Sequence, residues 1–116
     1  MESHRFTNGI TRAEELRLIA GTTFSIQNTA DAVETFTEAQ RLSTDEHEPV
    51  AALIDVKVNN CLFAFGVDPV PSGLGHARDA GDKFALQSTD EIKAFRFINA
   101  VGTEQCTLNV TFYYRP

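Results

Sequence analysis

Apolar and polar residues alternate with period two over much of this chain, the spacing of β-strands with one face turned inward. The clearest stretch runs from Leu53 to Val67. Ile54, Val56 and Val58 alternate there with Asp55 and Lys57. Cys61, Phe63 and Phe65 follow, alternating with Leu62, Ala64 and Gly66. The second run is apolar on both sides, which predicts a strand inside a sheet rather than at its edge. Asn59-Asn60 lies between the runs. Asn tolerates positive φ better than other non-glycine residues, so the pair suits a type I′ turn and a hairpin is expected.

The closing stretch shows the same period. Cys106, Leu108, Val110, Phe112 and Tyr114 alternate with Thr107, Asn109, Thr111 and Tyr113, predicting a long half-buried strand. Phe84 and Leu86 share one face of Lys83–Gln87. Ser88-Thr89-Asp90 reads as a turn, and Glu91–Ile98 as a strand whose apolar set shifts at Phe95, as at a bulge. Near the start, Ala13–Ile19 fits a helical turn or a strand. A strand from Leu16 agrees better with the β-formers up to Ile26. Ala32–Thr37 predicts a short strand with Val33 and Thr35 on one face. Glu38–Leu42 suits one helical turn. Asp68–Asp82 holds two Pro and three Gly in fifteen residues and reads as loop.

Together these elements predict an all-β chain: an antiparallel β-sandwich or jelly-roll-like barrel with an N-terminal arm. Residues 1–12 form the expected arm and 13–116 a single β domain. The 116 residues are one domain's worth, long enough for a core without disulfide or metal support. Nine Phe and no Trp make that core large but poor in aromatic polar handles.

Charge narrows the function. A net charge of −6 disfavours nucleic-acid binding and docking on anionic membranes, both of which need excess Lys and Arg. No run is long enough to span a bilayer. The start has no apolar run, so no secretory signal is expected. Without secretion, the Asn109-Val110-Thr111 match to a glycosylation site carries no weight. Cys61 and Cys106 lie in apolar strands and are expected as buried, unreactive thiols.

Candidate chemistry is sparse. Asp45-Glu46-His47-Glu48 gathers three carboxylates around a His, but an acidic run before Pro49 lacks the fixed geometry of a metal site and reads as solvated loop. Gly73-Leu74-Gly75 lacks the strand–loop–helix context and the Lys-Ser/Thr of a phosphate loop. Ser72 and His76 have nothing to orient the imidazole, and no G-x-S-x-G is present. No catalytic residue, metal or cofactor is therefore expected. His76, Arg78 and Asp79 are the polar group of the long loop, a place where contact residues concentrate.

From Ala51 to Tyr114 the chain resembles small β-sandwich virion proteins of tailed bacteriophages. The residues that carry this are Ala52–Asn60, a strand ending in Asn; Leu62–Val67, a short strand with Gly66 near its end; Ala80-Gly81-Asp82; Lys83-Phe84-Ala85-Leu86; Ile92–Ile98; and Leu108–Tyr114. The resemblance implies a non-enzymatic structural protein of the particle, a capsid cement or decoration protein or a head–tail component. It would be made in the host cytoplasm and located in the virion. It would self-associate as a dimer or trimer and contact the major capsid protein or other virion proteins. The arm, with Arg5, Phe6 and Ile10, and the loop, with His76, Arg78 and Asp79, would grip those partners. The alternative is a small ligand- or carbohydrate-binding β-barrel module, which needs Tyr113 and His76 to converge beside a cavity.

Overall fold

A computed structural model describes residues 17–116. The whole of the expected arm, and with it Arg5, Phe6 and Ile10, lies outside the described residues. The described chain forms nine strands and two short helices: β1 Ile19–Ala20, β2 Phe24–Gln27, β3 Glu34–Thr35, α1 Glu38–Arg41, β4 Ala51–Val58, β5 Cys61–Phe65, β6 His76–Arg78, β7 Lys83–Leu86, α2 Thr89–Ala94, β8 Phe95–Asn99 and β9 Thr107–Tyr114.

They pack as two antiparallel sheets. In the first, β1 and β2 both pair with β9, and β4 and β7 follow in order. The second runs β3-β8-β5-β6. The pairs β2·β9, β3·β8, β4·β7 and β5·β6 nest one inside the next along the chain. That nesting is the strand order of a jelly roll, two Greek keys rolled into a sandwich. The all-β sandwich expected from the spacing is what the chain forms.

Alternation fixes the inward faces. In β9, Leu108, Val110 and Phe112 are buried while Thr107, Asn109 and Thr111 are half-exposed. Ile54 and Val56 of β4 face the same core, in register with Val110 and Leu108. Both sheets then meet over an aromatic layer. Phe95 contacts the rings of Phe36, Phe63, Phe65, Phe84 and Phe97, with centroids 5.3–6.1 Å away.

Several local expectations are corrected. β4 and β5 do not form a hairpin. Both edges of β4 are taken by β9 and β7, and both edges of β5 by β8 and β6. Asn59-Asn60 instead carries the chain from one sheet to the other. Only Asn59 has positive φ, at 59°, whereas a type I′ turn needs two such residues. A register shift after Val56 turns Val58 outward, where it is 49% exposed. Residues 89–94 are helix, not turn and strand. Ser88 caps α2 by accepting from Glu91 N, and the shift from Ile92 to Phe95 is a helical spacing of three rather than a bulge. The early strand is split at Gly21 into β1 and β2. In the second short strand the inward residue is Phe36; Thr35 is exposed. The long loop contains β6.

Candidate functional site

His76, Arg78 and Asp79 are close in space but differently employed. β6 pairs with β5 at the edge of the second sheet, Phe63 opposite His76 and Cys61 opposite Arg78. The His76 ring lies 5.3 Å from Phe63. Phe63 stacks on Phe84 at 4.8 Å, joining the two sheets along their open side. The Arg78 guanidinium lies over both rings, 5.7 and 5.4 Å from their centroids. Arg78 therefore roofs the aromatic core through cation–π contact. Asp79 belongs to a turn, its N–H donating to Asp82 Oδ2 at 2.8 Å. Of the three, His76 and Asp79 remain exposed.

The β5–β6 connection is where sequence reasoning missed the more distinctive feature. Within ten residues, Phe65, Val67, Val70 and Leu74 are exposed by 39%, 49%, 46% and 53%. Phe65 stands out from the apolar run that predicts an inner strand, whereas Phe63 in the same run is buried. This apolar loop is held in shape. Val70 N donates to Leu74 O and Gly73 N to Val70 O, closing a tight turn. Gly66 N donates to Ala94 O, and Asp68 pairs with Arg96 at 2.6 Å. Pro69 is buried. At Gly75, φ is +141° and an added Cβ would meet Pro69 Cβ at 3.2 Å. Only glycine passes there without displacing the loop. The signal was present in sequence: Pro69, Pro71, Gly73 and Gly75 surround Val70 and Leu74, so no alternating strand could bury them.

A second feature is a groove of about 460 Å³ beside the end of β9. Ile19, Phe24, Leu42, Phe112 and Tyr114 give it an apolar floor. Gln40, Ser43, Thr44, Asp45, His47 and Arg115 give it a polar rim. Its wall is the loop after α1. Thr37 and Gln40 form a capping box that starts the helix. Tyr114 Oη donates to Arg41 O at 2.7 Å, and burial pushes its phenol above the ordinary value. Arg41 grips Glu48 with two hydrogen bonds, 3.0 and 3.3 Å. Those bonds hold the Glu48 carboxyl below its ordinary value of 4.5. Glu48 is thus turned to Arg41 while Asp45 and His47 face the groove. Among the described residues, no three His, Cys, Asp or Glu side chains gather as a metal site.

The Glu48 shift has a defined sign. A lowered carboxyl pKa means stability present above pH 4.5 and lost as the pH falls through the depressed value. Asp31, held low by Asn99 and by Thr103 N–H, acts in the same direction. A Glu48→Gln variant should therefore melt below the parent at pH 7, and the gap should close in melts run below about pH 4.

Tyr113 and His76 do not converge. Tyr113 pairs with Ala20 and Ala51 in the first sheet, and His76 lies on the edge strand of the second. Among the described residues no helix is long and apolar enough to cross a membrane. No protein-family model matches the chain, and no curated protein matches it.

Proposed function

We propose that the chain is a non-enzymatic structural protein of a phage particle, a cement or decoration protein that docks on the capsid shell through its β5–β6 loop. The single observation that carries this is the ordered apolar loop itself. Four large apolar side chains stand exposed on a segment pinned by an ion pair, a tight turn and a buried proline. Such a patch on a small domain marks a binding surface. A preformed loop also loses little entropy on docking. The jelly roll is shared by viral capsid domains, lectins and cupins, so the fold alone does not decide. A shell of repeated identical sites would let an oligomer of this chain bind by avidity through one loop per copy.

Particles assembled from the encoding genome with this chain deleted provide the test. The purified protein should co-sediment with them at a fixed number of copies. Val70→Ser combined with Leu74→Ser should weaken binding about a hundredfold, since each side chain loses roughly 1.5 kcal/mol of burial. Its melting temperature should stay near that of the parent. Failure of the parent to bind, or equal binding by the double variant, would overturn the proposal.

The groove supports a second reading, a ligand-binding module. Its size and its mix of apolar floor and polar rim suit a small molecule or glycan. Saturable binding of a soluble glycan, with NMR shifts confined to Gln40–His47 and Tyr114, would favour it.

A further inference from the structure

Cys61 opens β5 in one sheet, and Cys106 immediately precedes β9 in the other. Both are free thiols and both are fully buried. Three connections bring the two segments together. Asn59 Nδ2 donates to Gln105 O at 2.8 Å. Val58 is in register with Thr107. Asn99, the β8 partner of Cys61, accepts from Asn28 Nδ2, and Asn28 Oδ1 accepts from Cys106 N at 2.9 Å. Cys106 is thus anchored on both sides, and these contacts set the two buried cysteines beside each other at the joint between the sheets.

We propose that Cys61 and Cys106 form a modification site, a thiol pair that peroxide converts into a disulfide joining the two sheets. The order of events follows from the contact. The adjoining Cys106 and burial push the Cys61 thiol up, while the neighbouring Cys61 holds Cys106 lower, so Cys106 ionises first. The Cys106 thiolate attacks one oxygen of hydrogen peroxide. The O–O bond breaks, hydroxide leaves and takes the thiol proton to become water, and Cys106 becomes a sulfenic acid. The Cys61 sulfur then attacks the Cys106 sulfur. An S–S bond forms, and the second hydroxide leaves with the Cys61 proton as water. Two electrons pass from the thiols to peroxide. Hydrogen peroxide is small and neutral, so local opening of the exposed residues 101–105 is enough to admit it.

The bond would close a loop of 45 residues between β5 and β9. Cross-links of that span restrict the unfolded chain strongly. The test is to treat the folded, reduced protein with hydrogen peroxide, then unfold and alkylate it. The expected product is a monomer lighter by two hydrogens, with no alkylated cysteine. Its melting temperature should rise by about 10 °C or more and return with reductant. Cys61→Ser and Cys106→Ser should each abolish the rise; if either fails to fold, the oxidised and reduced parent still decide. Two alkylatable thiols after peroxide, a sulfinic acid without the cross-link, or bridged dimers alone would overturn the proposal.

Discussion

Phe95→Ala is expected to remove roughly 4–5 kcal/mol of folding stability, within the usual range for a buried Phe. Phe95 is fully buried and touches five other Phe rings. Those rings come from both sheets and from Phe36, which lies nearly parallel to Phe95 at 5.3 Å. Truncation leaves a void bounded by stiff aromatic rings and strand backbone, so collapse is limited and the cavity cost is retained. Aromatic pairing adds to the loss beyond the buried area. Domains of this size are stable by about 5–15 kcal/mol, so the variant should be close to unfolding. Urea denaturation of Phe95→Ala and Phe95→Leu measures this. The leucine variant should retain more than half of the lost stability. Equal, small losses would mean that the aromatic layer does not hold the sheets together.

Asn99→Ala is expected to cost about 3–4 kcal/mol, through a different mechanism. Asn99 is fully buried. Its Oδ1 accepts from Asn28 Nδ2 at 2.7 Å and from Asp31 N at 2.8 Å. Its Nδ2 donates to Asp31 Oδ1 at 3.0 Å and to Val101 O at 2.6 Å. All the hydrogen-bonding positions of one side chain are thus used to tie the β2–β3 turn to the β8–β9 loop. Alanine removes all four bonds at once: it takes one acceptor from the fully buried Asn28 amide, which keeps Thr29 O and Ala32 O, and it removes the acceptor of Asp31 N, so the cost exceeds that of a typical single hydrogen bond. A double-mutant cycle with Asn28→Ala should show coupling of about 1 kcal/mol, since both substitutions remove the same buried Asn28–Asn99 hydrogen bond. Additive effects would contradict a shared network.

Much of this framework was legible in the sequence, and the failures have physical causes. Period two reports which face a residue takes, and it identified the core of β4, β7 and β9. It does not report the partner strand. Asn59-Asn60 therefore read as a hairpin, although β4 and β5 belong to opposite sheets. α2 carried a readable cap in Ser88 and Glu91, but Phe95-Arg96-Phe97 beyond it continued the apolar pattern into one apparent strand. The Asn28–Asn99 network was not legible, because amides in turns are usually solvated and only the fold buries these two. The apolar loop was hard to read for a related reason: its Pro and Gly mark irregular backbone, and irregular backbone does not report which side chains it exposes. Arg78 also lies over the rings of Phe63 and Phe84.

Amide hydrogen exchange of the protein, free and bound to capsid shells lacking it, tests the account most directly. Docking through the β5–β6 loop predicts new protection across residues 65–76, with residues 40–47 of the groove wall unchanged. Protection at the groove instead, or none in the loop of the bound protein, would contradict it.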